Sequence, residues 1–182
     1  MKKINLIISK NDYLWKNKHT NLLVGDWCLP DKKFFFSFNY KVADDYIETS
    51  KNILKDQQYI KKIYNTLLKN ISENLNKYHS THLPQRYWEI LINPWLIYLI
   101  ETIFIRWKTI EKIKKKNKNL ETNIDKYQDE YFVANNTKDS HLQVLSNNWN
   151  HWINSKIIRH IGGIKIIDNK IKKKFTNSKN SK

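Results

Sequence analysis

Three short clusters hold the residues whose types and spacing could do chemistry. Asp26, Trp27 and Cys28 close the strand-like run "NLLVGDWCL". In α/β proteins the carboxyl end of a strand is where ligands collect. "SNNWNHWINS" brings Trp149, Asn150, His151 and Trp152 together. Indole faces stack on pyranose rings, and amides with an imidazole bond hydroxyls, so this cluster could bind a sugar. Its plainer reading buries Trp149 and Trp152, three residues apart on a helix, and turns Asn150 and His151 outward. Arg86, in "LPQRYWEI", can face a phosphate or carboxylate, or pair with Asp26 or Glu89 to lock the fold.

Other candidates carry less. His79 and His82 are separated by two residues, but no third ligand stands at a metal-site spacing, so no metal is expected. Cys28 has no histidine positioned beside it and reads as a buried thiol at a strand end. Gly25, Gly162 and Gly163 are the only glycines, which leaves no Gly-rich phosphate loop.

The elements that must position these residues are legible in part. "INLIIS", Ile4 to Ser9, and Asn21 to Leu29 read as buried strands, with Gly25 ending the strand-like part of the second. "FFFSFNY", within the passage from Lys32 to Tyr46, has no clear assignment. From about Thr49, Ile60, Ile63, Tyr64, Leu67, Leu68, Ile71, Leu75 and Tyr78 recur at spacings of three and four, one face of an amphipathic helix. Ser80 or Thr81 could cap the next helix, with Pro84 in its first turn.

That next helix contains "RYWEILINPWLIYLIETIFIRW". A membrane span needs about 20 predominantly apolar residues. Here Glu89, Asn93, Glu101 and Arg106 interrupt the run, and Trp95 stands at its centre rather than an end. It reads as the core helix of a soluble domain, kinked at Pro94. "EKIKKKNKN" reads as a solvated tail or linker, and "DEYFVAN" as a short strand. "DSHLQVLSNNWNHWINSKIIRHI" reads as one final helix, capped by Asp139 or Ser140 and stopped by Gly162-Gly163. The expected organisation is a domain over residues 1–161 and a basic, disordered tail over 162–182.

The chain of 182 residues is about one domain long, and its aromatic residues can fill a core. Its net charge of +16 invites an anionic partner. Yet Arg86, Arg106 and Arg159 are its only arginines among 33 basic residues. A nucleic-acid binder uses more Arg for bidentate contacts, so abundant Lys, Asn and Ile point to compositional drift and solubility. With Cys28 alone no disulfide framework exists, and the cytosol is the default compartment. The apolar run near the N-terminus is too short for a signal-peptide core.

Four blocks, in order and spacing, resemble a bacterial transferase family found in O-antigen and other surface-carbohydrate biosynthesis loci. They are "NLLVGDWC", "DQQYIKKIYNTLLKNISENLNKYH", "RYWEILINPWLIYLIETIFIRW" and "NNWNHWINSKII". The resemblance covers about residues 5 to 161. It implies a helix-rich α/β fold: the Rossmann-like N-terminal, acceptor-side lobe of a two-lobed glycosyltransferase, its long amphipathic helix packed on the apolar, Pro-kinked one. It further implies a fragment or split lobe, with no cofactor in this chain. A nucleotide-sugar donor would bind a C-terminal lobe outside it. The implied partners are that separately encoded lobe and a carbohydrate acceptor, with peripheral contact at the inner face of the cytoplasmic membrane. Asp26 and His151 are the candidates to deprotonate an acceptor hydroxyl. Trp27, Arg86, Asn150 and Trp152 are the candidate substrate contacts. The competing reading is a non-catalytic carbohydrate-binding or protein-interaction module. A basic nucleic-acid or membrane-surface binder, driven by the lysine runs near 112–118 and 170–174, is disfavoured.

Overall fold

The structure, a computed structural model, describes residues 3–30, 38–44, 46–49 and 52–169; most of the expected tail, 170–182, lies outside them. Five strands form one sheet: β1 (Ile4–Ile7), β2 (Thr20–Leu23), β3 (Tyr40–Val42), β4 (Leu120–Ile124) and β5 (Lys165–Asp168), in the order β3-β2-β1-β4-β5. Every pairing is parallel. A parallel sheet covered on both faces needs apolar central strands. Leu6, Ile7 and Ile8 supply that at the centre, each with no exposed surface.

The chain lays β1, β2 and β3 down in one direction and then crosses back through α1 (Tyr46–Thr49), α2 (Ile53–Tyr78) and α3 (Gln85–Lys116). It returns as β4 on the other side of β1, in register Ile4 to Leu120. Helices α4 (Thr137–Leu145) and α5 (Asn147–Ile161) lead to β5. The direction of winding therefore reverses between β1 and β4, the place where open α/β sheets hold ligands. This is the helix-rich α/β, partly Rossmann-like arrangement expected.

Helices α2 and α3 form a hairpin with its own small core of Leu68, Leu96 and Ile100. Its loop is organised by Asn76 and not by the caps expected at Ser80 or Thr81. The Asn76 Oδ1 accepts from the Leu83 N–H, the Thr81 hydroxyl and the Trp88 indole N–H, each at 3.0 Å, and Nδ2 donates to the Leu83 carbonyl at 2.8 Å. Asn76→Ala should cost about 2 kcal/mol, since it strands several partly buried groups at once. Urea unfolding followed by circular dichroism checks this, and a cost below about 0.5 kcal/mol would reduce Asn76 to a bystander.

Helix α3 runs unbroken through Pro94, but it is not buried all round. In its first half only Trp88, Leu96 and Ile100 are buried, while Ile90 is 64% and Leu91 56% exposed. The reason is geometric, since this half packs on α2 along one side and meets α4 where Trp95 donates to the Ser140 hydroxyl and Tyr98 stacks on His141. The second half, with Thr109, Ile110 and Ile113, enters the main core beneath the sheet. Among the described residues α3 is the one helix long and apolar enough, by length and composition, to cross a membrane.

Other local expectations need correction. "DEYFVAN" holds a 3-10 turn, Asp129–Phe132, not a strand. The final helix is two helices, because Ser146 interrupts it and caps α5 by accepting the Trp149 N–H at 3.2 Å. Asn136 caps α4 by accepting the Asp139 N–H at 2.9 Å. The stop at Gly162 stands, with φ 63. Beyond residue 161, β5 pairs with β4 along Glu121–Ile124 and adds the fifth strand of the sheet.

Candidate functional site

Beyond β2 the chain turns through a 3-10 segment, Asp26–Cys28. Cys28 points into the core, while Asp26 and Trp27 are exposed. The Trp27 indole folds back over Gly25 so closely that a Cβ there would lie 2.5 Å from its Nε1. From α3, Arg106 enters between two indoles, its guanidinium carbon 4.6 Å from the centre of Trp27 and 5.5 Å from that of Trp149. Gly25, Asp26, Trp27 and Arg106, with Asp44 and Thr109, line a cavity of about 420 Å³ at the carboxyl edge of β2 and β3.

The electrostatics of this cavity are uneven. Asp44 is held by Lys116 at 2.6 Å and Lys112 at 3.9 Å, and the Lys116 hydrogen bond keeps its carboxyl below the ordinary range. Arg106 has no such partner among the described residues, and its Nη1 is shut off from water without a hydrogen bond. Burial pulls its pKa down to about 10, which still leaves it a cation at neutral pH. Burial also pushes the Cys28 thiol up to about 12. Since the thiolate is the nucleophile, both that shift and the buried position suppress reaction. Native protein should therefore resist iodoacetamide at pH 8 and take up one equivalent when unfolded, read by intact mass. Rapid native labelling would mean that the Asp26–Cys28 turn opens.

A second constellation occupies the switch point between β1 and β4. His151 has no exposed surface. Its Nε2 accepts the backbone N–H of Asp125 at 3.0 Å, and its Nδ1 lies 2.8 Å from the Ser9 hydroxyl oxygen. A neutral ring whose Nε2 accepts carries its proton on Nδ1, so Nδ1 donates to Ser9. The Asp125 carboxylate accepts from the Tyr13 hydroxyl, from Tyr127 at 3.3 Å and from the Asn169 amide at 2.8 Å. Burial, then Asp125, drives both tyrosines above their ordinary pKa. Asn154 donates to the Ile8 carbonyl at 2.9 Å, and Asn150 to the Ser146 carbonyl at 2.8 Å. Asn150 and His151 thus face inward, contrary to the outward reading: His151, with Asn154, joins α5 to the sheet, while Asn150 ties α5 to the end of α4.

The remaining candidates are scattered. Trp152 donates its indole N–H to Asp129 at 2.8 Å and stacks on Phe132 at 4.7 Å. It lines a different, mainly apolar cavity of about 440 Å³ with Leu91, Trp95, Val133 and Trp149. Arg86 pairs with Glu89 at 2.9 Å, its side chain 74% exposed at the start of α3. The structure therefore brings Asp26 and Trp27 together in one cavity, sets His151 and Asn150 inside the fold, and leaves Arg86 outside both cavities. Among the described residues, no three His, Cys, Asp or Glu side chains gather as a metal site would require.

Arg106, Asp125 and Tyr13 were not found from sequence. Arg106 stood out only as an interruption of an apolar run. Its buried cation was the available signal, because a charge inside such a helix needs a reason.

No curated protein and no solved structure matches the chain significantly. A family model does: the LIC12162 family transferase model matches residues 4–182, which includes β5 and spans both constellations, and the chain belongs to that transferase family.

Proposed function

We propose that this transferase chain is the acceptor-side lobe of a nucleotide-sugar-dependent glycosyltransferase for cell-surface polysaccharide. One observation carries the reading: an exposed carboxylate and a half-exposed indole, Asp26 and Trp27, share a cavity at the carboxyl edge of an all-parallel sheet. A sugar ring would stack on Trp27, and Asp26 would accept the proton of its attacking hydroxyl. The hydroxyl oxygen would bond to the anomeric carbon of the donor as the bond from that carbon to phosphate breaks. A nucleoside diphosphate leaves. The donor would be held by a second lobe, supplied by a further segment or a separate chain. Asp26, rather than His151, is assigned as base because the Nε2 lone pair of His151 is engaged by the Asp125 N–H.

Exposed Ile90 and Leu91 on α3 would suit peripheral contact with the inner face of the cytoplasmic membrane.

The test uses purified chain, alone and with the product of the adjoining coding sequence, incubated with labelled nucleotide sugars and a surface-glycan extract. Transfer of label to glycan supports the reading. Glycan binding without transfer under either condition would favour the carbohydrate-binding module, and neither binding nor transfer would remove both.

A further inference from the structure

Arg106 is the feature that packing alone does not account for. Arg106 is partly buried, with Nη1 shut off from water, and desolvating a guanidinium without a counter-charge is costly. Cation–π contact with two indoles offsets a fraction of that cost. Both rings lie within cation–π range of the guanidinium, but they do not take up its N–H donors, and Nη1 stays without a partner. The carboxylates lining the same cavity do not remedy this. Asp44 is taken by Lys116 and Lys112, and Asp26 makes no ion pair with Arg106. A planar cation with donors to spare, stacked so that it cannot rotate freely, is the arrangement that recognises an oxyanion. Its cover is adjustable, since Trp27 is half exposed and rests on Gly25, which has no side chain to block the indole.

We propose that Arg106 is the receptor for an anionic group, a phosphate or a carboxylate, on the ligand of the Asp26–Trp27 cavity, with Trp27 moving to admit it. The proposal rests on that cavity being the ligand site, and not on sugar transfer. It narrows the substrate class to molecules that carry an oxyanion near the reacting hydroxyl.

Three arginines make the test direct. In ¹⁵N-labelled wild-type chain the side-chain Nε–Hε signals come from Arg86, Arg106 and Arg159 alone. They are assigned with R86K and R159K and followed while inorganic phosphate, acetate or glucose 1-phosphate is added at constant ionic strength. The Arg106 signal should move saturably with at least one probe while the other two stay put. A tighter response to glucose 1-phosphate than to phosphate would identify a phosphorylated sugar as the source, and a response to acetate alone a carboxylate. In parallel, the same probe should raise the wild-type Tm by about 3 °C or more at several times its Kd. Arg106→Met should abolish that rise and melt no lower than wild type without anion, because the unpaired charge is gone. No movement of the Arg106 signal with any probe, or an equal Tm rise in R106M, overturns the proposal. Since the Arg106 signal is read in the wild type, the result does not depend on R106M folding. It also needs no donor, so anion binding without transfer would fail the glycosyltransferase reading and leave this one standing.

Discussion

His151→Ala is expected to remove about 3–5 kcal/mol of stability, a large part of the ~5–15 kcal/mol typical of a domain. Two losses add. The Asp125 N–H loses its partner in the dry interior, at about 1–3 kcal/mol, and the Ser9 hydroxyl loses the His151 N–H that it accepts and keeps the Asn11 amide at 3.2 Å. A ring with no exposed surface leaves a cavity, and relaxation around it is only partial. The consequence is not local. Ser9 follows β1, Asp125 follows β4, and His151 is on α5, so one imidazole ties the two strands at the switch point to the helix that covers them. His151→Gln should recover part of the loss, because its Oε1 can still accept from Asp125. Urea midpoints at unchanged m-value are the readout. A cost for H151A under about 1 kcal/mol would show that the ring fills space and ties nothing.

The second large effect is catalytic. In an assay that supports transfer, Asp26→Asn should lower kcat by about 10²–10⁴-fold, the usual worth of a positioned general base. It should leave the urea midpoint within about 0.5 kcal/mol, since Asp26 is exposed and outside the core. Trp27→Ala should act differently, raising KM through loss of a stacking face. The split between the two variants is the informative part. Equal turnover by D26N and wild type would sink the assignment of the base, and a D26N protein that is merely unstable would place Asp26 among the fold's supports.

How much of this was legible follows from how each element meets its physical needs. β1 and β2 announce themselves as short apolar runs, and α2 by its spacing, because their burial is met by apolar side chains. β4 hides, following a lysine-rich run that reads as a tail or linker. Its Glu121 and Thr122 are buried, but they are satisfied at long range: Glu121 by Lys16 at 2.7 Å, and Thr122 by donating to the Leu6 carbonyl at 2.9 Å. β5 hides because it is a short edge strand bounded by Lys165 and Asp168 with little buried surface, the composition that keeps sheet edges from pairing with other chains. The site divides the same way. Asp26 and Trp27 could be proposed because a glycine and a strand end are local signals. Arg106 could not, since its meaning depends on two indoles from other elements. Asn150 and His151 were open to an outward reading because helical spacing alone says nothing of the groups that need polar partners, the Val144 and Ser146 carbonyls for Asn150 and the sheet edge for His151.

The position of β1 also sets a timetable. It leaves the ribosome before the sheet's other strands, yet it is the middle of the finished sheet. β2 can pair along one side of it soon after emerging, and β3 then adds to β2. Its other side accepts β4, and Leu120 is made only after both long helices. Until then an apolar strand with a full row of unpaired peptide groups stands open, the kind of edge that recruits other chains. Slow synthesis between Val42 and Leu120, which prolongs that interval, should favour aggregation of nascent chains unless a chaperone covers β1.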